Sequence, residues 1–168
     1  MNIIFNRHPF FSGLIVACTL MFVSFAVQAQ TAEPSLRVFD VWAKTTVPGG
    51  SVSSAYMHIK SGKPLRLLKA DSAAAGTVEI HDMKMKDGVM EMKAVDAIDI
   101  PANKMVELKP GGFHVMLMDL KAALPKDSTV PLTLTFKDAK GVESKLELKL
   151  PVAAANPAGG KDAGMHKH

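Results

Sequence analysis

Apolar and polar positions alternate with a period of two along most of the chain from Leu36 to Leu150. Neighbouring side chains of a strand point to opposite faces, so this alternation predicts strands. Short turns containing Gly, Pro or Asp separate the alternating stretches. The predicted strands are Leu36–Ala43, Ala55–Ile59, Leu65–Leu68, Thr77–Met85, Val89–Val95, Ile98–Ile100, Met105–Leu108, Phe113–Leu120, Val130–Phe136 and Leu146–Leu150. Many short strands with close turns predict an all-β domain, an antiparallel β-sandwich or barrel.

Three stretches carry more detailed predictions. Asp87-Gly88 lies between two alternating segments and predicts a tight hairpin. Residues 70–76 predict a loop with at most one helical turn. In the first strand, simple alternation assigns one face to Val38, Asp40 and Trp42 and the other to Phe39, Val41 and Ala43.

Residues 1–29 have the pattern of an export signal. Arg7 and His8 precede a nearly unbroken apolar run, and Val27-Gln28-Ala29 supplies the small residues at which signal peptidase cuts. We therefore predict cleavage after Ala29, export to the periplasm, and no stable membrane insertion afterwards. Two alternatives stay open: an uncleaved anchor, because the apolar run approaches a membrane-spanning length, and a lipoprotein signal ending at Cys18.

The predicted mature chain has a domain at 30–152 and a flexible tail at 153–168 that is rich in Ala, Gly and Pro. Cys18 is the only cysteine, so the mature chain has no thiol and no disulfide, and its stability must come from an ordinary core. The leader holds one of the 20 basic residues and none of the 16 acidic ones, which leaves a mild charge of +3. Basic and acidic residues are interspersed, which argues against nucleic-acid binding.

An enzyme is not predicted, because the mature chain has no cysteine nucleophile and its Ser, His and Asp residues show no catalytic arrangement. Potential metal ligands are instead concentrated in residues 81–118, which hold two of the six histidines and seven of the eleven methionines. Strand parity gathers many of them on faces opposite the apolar core residues, where solvent is expected. On the later strand these are His114, Met116 and Met118. On the earlier strand they are His81, Met83 and Met85, beside Glu79. Between the two, Met90 and Met92 share a face.

A single methionine, such as Met57 or Met105, is better explained as core filler, and His58 as a surface residue of its strand. Within the region, imidazoles and thioethers without a cysteine indicate a soft metal, with Cu(I) the first candidate. Zn(II) prefers thiolate, imidazole or carboxylate, and a blue-copper site needs a cysteine thiolate with two histidines. Glu79, Asp82 or backbone carbonyls are candidates for orienting the imidazoles.

The spacing H-x10-M-x21-H-x-M, met by His81, Met92, His114 and Met116, resembles the signature of the periplasmic copper chaperone family PCu(A)C. The similarity covers nearly all of residues 36–152, including VEIHDM, DGVMEM and LKPGGFHVMLMDL. The resemblance implies a cupredoxin-like, antiparallel Greek-key β-sandwich that binds one Cu(I) at an exposed site through these four residues. It also implies a carrier that delivers copper to the dicopper centre of cytochrome c oxidase subunit II, to a Sco-type copper protein, or to both. Separately, a monomer is expected.

Further methionines and the tail extend this signature. Candidate accessory ligands, or parts of a docking surface, are Met83, Met85, Met90 and Met118. Some family members carry a C-terminal extension that binds Cu(II), and Met165, His166 and His168 resemble a short version of it. A solvated tail is the alternative there. Copper buffering or resistance without a dedicated recipient is the alternative function, because it would use the same ligands.

Overall fold

The computed structural model describes residues 35–157, which belong to one compact unit. This part of the chain contains ten strands and no helix. The strands are β1 (Leu36–Lys44), β2 (Ser53–Ser61), β3 (Leu65–Asp71), β4 (Ala75–Lys86), β5 (Val89–Ala94), β6 (Ile98–Ile100), β7 (Met105–Leu108), β8 (Phe113–Leu120), β9 (Thr129–Asp138) and β10 (Glu143–Ala153). The all-β prediction is confirmed, and each predicted strand is present to within a few residues.

The strands follow the order β5-β4-β8-β2-β1-β10-β9-β3-β6, and β7 pairs with β2. β1 and β10 run parallel, whereas the other paired strands are antiparallel. Ile59 and Leu117 from one half of this order and Leu134 and Phe136 from the other belong to a single buried cluster. The two halves therefore pack face to face around one core. This is the predicted β-sandwich, antiparallel except for the β1–β10 pair.

One turn between strands agrees with the sequence prediction, and one loop differs from it. Asp87 and Gly88 both have positive φ, 50° and 78°, and Lys86 pairs with Val89, which is the predicted two-residue hairpin turn. The loop predicted at 70–76 is shorter than expected. β3 continues to Asp71 and a tight turn leads directly into β4, with no helical turn between them.

β1 does not keep the simple alternation. Its register with β2 shifts by one residue between Phe39 and Trp42. Asp40 lies in this bulge with φ 51°, a left-handed conformation that Asp adopts more readily than most residues. The extra residue places Trp42 opposite Tyr56 and turns Ala43 into the core, where it is fully buried. The predicted parity of β1 is therefore wrong beyond the bulge.

Several sequence predictions lie outside the described residues. They are the signal peptide at 1–29, the lipoprotein alternative at Cys18, and the tail ligands Met165, His166 and His168. Of the predicted tail, Ala153 is described as the last residue of β10. Among residues 35–157 there is no helix with the length and apolar character needed to cross a membrane.

Candidate metal centre

Three neighbouring strands bring the four predicted ligands to one face of the sheet. His81 on β4 lies directly opposite His114 on β8. Met116 lies one step further along that same face of β8. On the other side of β4, Met83 lies opposite Met92 of β5. Because residues two apart on a strand share a face, all four predicted ligands face the same side of β5, β4 and β8.

One ring nitrogen of His81 is held by the protein and the other is not. Nε2 donates a hydrogen bond to the Glu79 carboxylate at 2.8 Å, which leaves the lone pair of the neutral ring on Nδ1. Nδ1 is buried and has no hydrogen-bond partner among the described residues. Buried polar atoms are normally paired, so this nitrogen is an available ligand atom. A carboxylate behind an imidazole is also a common support for metal-binding histidines.

The ring of His114 is fixed by the turn that precedes β8. Its Nδ1 donates to the carbonyl oxygen of Gly112 at 2.9 Å, so the lone pair lies on Nε2. The same carbonyl accepts the backbone N–H of Met83 at 3.2 Å. Gly111 permits the turn with φ 79°. The Gly112 carbonyl therefore selects the tautomer of His114 and makes Nε2 the nitrogen that carries the lone pair.

The two imidazoles are spaced to share one ion. Their ring centroids are 5.8 Å apart, with an interplanar angle of 65°. With metal–nitrogen bonds of about 2.0 Å, two imidazoles on one ion place their ring centroids roughly 5–6.5 Å apart. Within residues 35–157, no three His, Cys, Asp or Glu side chains are arranged to hold a metal ion. The soft atoms near the two rings are thioether sulfurs.

Thioethers flank the histidine pair on both sides. The Ser54 hydroxyl donates to Sδ of Met116 at 3.4 Å, which orients this half-buried side chain. Met92 lies on the edge strand β5 and is 47% exposed. It is diagonal to His81, within reach of a long side chain, and the residue directly opposite His81 is the small Ala94. The structure thus groups His81, His114 and Met116, with Met92 at the solvent edge of the group.

The candidate accessory methionines fall into two separate places. On the hairpin side, sharing the face of Met92, are Met83, Met85 and Met90. Met118 lies at the other end, one step beyond Met116 along β8. Met118 is therefore farther from the histidine pair than Met116 is, and the hairpin methionines form the only accessory group next to Met92 among the described residues.

The histidines are not open to solvent, which corrects the prediction of an exposed face. His81 is 8% exposed and His114 is 3% exposed. The Tyr56 ring lies 6.4 Å from the His114 ring, and the Trp42 ring lies 4.7 Å from that of Tyr56. Sequence reasoning missed both aromatic neighbours. Alternation along β2 could have placed Tyr56 on the face of the site. Alternation along β1 puts Trp42 on the wrong face, because Trp42 follows the bulge.

Asp82 is not the residue that orients His81. It lies on the opposite face of β4, where its buried carboxylate is 2.7 Å from Nζ of Lys84. Neighbours in a strand point apart, as the sequence predicted for this pair. Of the candidates named from the sequence, Glu79 and a backbone carbonyl are the groups that hold the two rings.

The remaining His and Met predictions have mixed outcomes. Met57 is buried in the core as predicted, but Met105 is 49% exposed, so its assignment as core filler is wrong. His58 is half-buried on β2, with Nδ1 3.0 Å from the Asp40 carboxylate. Glu107 lies opposite His58, and its hydrogen bond from Lys109 at 2.6 Å lowers the pKa of the Glu107 carboxyl. This group is separate from the His81–His114 pair.

Comparison with known proteins shows which family this chain resembles. Residues 36–152 match the family described as LpqE-like lipoproteins. A relative named as a lipoprotein, Lxx21020 of Leifsonia xyli subsp. xyli, is 31% identical over 134 residues. The match covers 76% of this chain and 79% of the relative. RP573 of Rickettsia prowazekii, an uncharacterized protein, is 32% identical over 113 residues, covering 64% and 62% respectively.

Solved structures show the same fold. The apo PCuAC domain from PmoF1 has a TM-score of 0.58 at 22% identity, covering 73% of this chain and 96% of that domain. The Cu(I) form of DR1885 from Deinococcus radiodurans has a TM-score of 0.54 at 31% identity, covering 75% and 85%. The fold is therefore that of the cupredoxin-like PCuAC domains. The chain belongs to the LpqE-like family of PCuAC type.

Proposed function

We propose that this protein is a periplasmic copper chaperone that carries Cu(I) on His81, Met92, His114 and Met116. Thioether sulfur is neutral and soft and favours Cu(I), and two imidazoles with two thioethers supply four ligands. The protein is not an enzyme, because copper is its cargo and leaves chemically unchanged. Methionine does not form disulfides, so such a site suits an oxidising compartment better than thiolates do.

One observation carries this proposal: among residues 35–157 the buried Nδ1 of His81 has no hydrogen-bond partner, and its ring lies 5.8 Å from that of His114, whose Nδ1 is bound to the Gly112 carbonyl. Both rings lie on a face that also carries Met116 and Met92. Two of the similar solved structures support copper as the cargo. One is a copper-bound PCuAC domain from PmoF2 and the other is the Cu(I) form of DR1885.

The unequal burial of the proposed ligands indicates the order in which a recipient replaces them. His81 and His114 are buried, whereas Met92 is about half exposed on an edge strand. A recipient therefore meets Met92 first and replaces it before the imidazoles. Exchange of one neutral ligand at a time keeps the ion bound throughout the transfer.

Export follows from the leader and from the family. We propose removal of residues 1–29 and a periplasmic location, with lipid attachment at Cys18 as the alternative that the family's lipoprotein description supports. The intact mass of the exported protein separates the two. A chain beginning at Gln30 supports removal of residues 1–29. An acylated chain beginning at Cys18 supports the lipoprotein alternative instead.

For the recipient, we propose the dicopper centre of cytochrome c oxidase subunit II, reached directly or through a Sco-type protein. Deleting the gene tests delivery against copper buffering. Delivery predicts that oxidase activity falls at low external copper and recovers when copper is added. Unchanged oxidase activity together with sensitivity at high copper would instead support buffering or resistance.

Glu79 is expected to support copper binding through His81. Glu79→Ala removes the carboxylate that holds Nε2 at 2.8 Å, so the ring loses its fixed tautomer and orientation. Loss of such a partner lowers metal affinity by about 10–100-fold. The measurement is a Cu(I) titration against a competing chelator.

Glu91→Ala is the matched control, because Glu91 lies on the opposite face of the neighbouring hairpin strand. It should bind Cu(I) like the unmodified protein. Glu79→Gln keeps a hydrogen-bond acceptor and should fall between the two. Equal affinities for Glu79→Ala and Glu91→Ala would show that the carboxylate has no part in the site.

A further inference from the structure

The hairpin formed by β4 and β5 has a charged face and a methionine face. The charged face carries Lys84, Lys86, Glu91 and Lys93. The methionine face carries Met83, Met85, Met90 and Met92. Strand register pairs Met83 with Met92 and Met85 with Met90. The thioethers therefore form two successive cross-strand pairs that extend from His81 towards the hairpin turn.

Packing does not account for these methionines. Met85 is 65% exposed and Met90 is 48% exposed, and neither they nor Met83 belong to the core cluster. β5 is an edge strand that is exposed along its whole length. Exposed edges usually carry charged residues, which here occupy only the opposite face. What Met83, Met85 and Met90 share is a thioether at a solvent-accessible position.

The register lets three of these sulfurs meet at one point. Residues directly opposite across an antiparallel pair have Cβ atoms about 4.5–5.5 Å apart. Residues two apart on one strand are separated by roughly 7 Å. Methionine has three rotatable side-chain bonds and adapts to irregular spaces, so neighbouring pairs can converge. Met83, Met85 and Met90 thus offer three neutral sulfurs without using the proposed ligand Met92.

We propose a second soft-metal site on this hairpin, built from the thioethers of Met83, Met85 and Met90 and selective for Cu(I). Three neutral sulfurs favour a soft monovalent ion over Zn(II). Binding forms three metal–sulfur bonds and displaces solvent or buffer ligands, with no change of oxidation state. The inference rests on the proposed function in taking copper as the cargo, but it uses none of the four ligands of the first site.

Ag(I) is the probe, as a soft monovalent ion that does not change oxidation state. Protein labelled with ¹³C at the methionine methyl groups is titrated and followed by NMR. The first equivalent should move the Met92 and Met116 signals, and the second those of Met83, Met85 and Met90. Met57 and Met105 should not move. A second equivalent that leaves the three hairpin signals unchanged, including one that moves Met165 instead, overturns the site.

A double variant separates coordination from simple apolar contact. Met85→Leu with Met90→Leu keeps the apolar surface and removes two sulfurs from exposed positions, so the fold should not change. We expect the second equivalent to bind about tenfold more weakly or worse, and the first to bind as before. Met105→Leu, at a similarly exposed methionine, should change neither.

The two proposals fail in different ways. An unchanged second equivalent in the Met85→Leu, Met90→Leu variant refutes the hairpin site and leaves the proposed function intact. A first equivalent that moves neither Met92 nor Met116 refutes the ligand set on which the proposed function rests.

Discussion

The His114→Ala, Met116→Ala double variant is expected to bind Cu(I) more than about 100-fold more weakly than the unmodified protein. Loss of a supporting partner alone costs about 10–100-fold in metal affinity, and this variant removes two proposed ligands. Both residues lie on β8, where the Gly112 carbonyl aims His114 Nε2 and the Ser54 hydroxyl orients the Met116 sulfur. The remaining His81 and Met92 cannot supply four ligands to one ion.

The matched control is His58→Ala with Met105→Ala, which removes one imidazole and one thioether from β2 and β7. His58 bonds to Asp40 and Met105 is exposed, so neither contributes to the proposed site. This control should bind Cu(I) with unchanged affinity in a titration against a competing chelator. Fluorescence of Trp42, the chain's only tryptophan, checks that each variant is folded.

X-ray absorption of the Cu(I)-loaded protein supplies the second readout for this prediction. Two sulfur and two nitrogen neighbours are expected for the unmodified protein. Copper affinity that is equal in the double variant and its control would contradict the ligand set. So would a spectrum without sulfur neighbours.

The second large effect concerns stability. Phe136→Ala should lower the free energy of unfolding by about 3–5 kcal/mol, because it leaves a cavity in a closely packed interior. Phe136 is the largest fully buried side chain among the described residues, and it lies on β9 between Leu67 of β3 and Ser144 of β10. Domains of this size have only about 5–15 kcal/mol of net stability, so the loss is a large share.

Urea denaturation measures this loss, with Val142→Ala as the control. Val142 is 61% exposed beside the turn between β9 and β10, and its truncation should change stability by at most about 0.5 kcal/mol. Phe136 lies in the half of the sandwich that does not contain β4 and β8. Folded Phe136→Ala protein should therefore bind Cu(I) normally. A loss of less than about 1 kcal/mol in the free energy of unfolding would mean that neighbouring side chains fill the space left by the ring.

Particular residues show why so much of the fold could be predicted. Asp87-Gly88 specifies its hairpin locally, because both residues accept the positive φ that the turn requires. Phe113, Val115 and Leu117 mark the core side of β8, and this parity alone puts His114 and Met116 on the same face. Local preferences of this kind do not depend on which strands become neighbours.

Long-range pairing explains the predictions that were wrong. Alternation cannot reveal a bulge, so the sequence put Trp42 on the wrong face, and only the register with β2 placed it against Tyr56. Tyr56 in turn lies against the His114 ring, and both His81 and His114 are buried although the sequence alone assigned them to solvent. Met105 was assigned to the core, yet its short strand leaves it exposed.

The sequence by itself determined an all-β domain and put His and Met side chains on shared faces of individual strands, because the period of two is a local property. Tertiary structure decided that His81 lies opposite His114 and that the two rings are covered. These outcomes depend on register and on hydrogen bonds between strands distant in the chain. No local pattern encodes them.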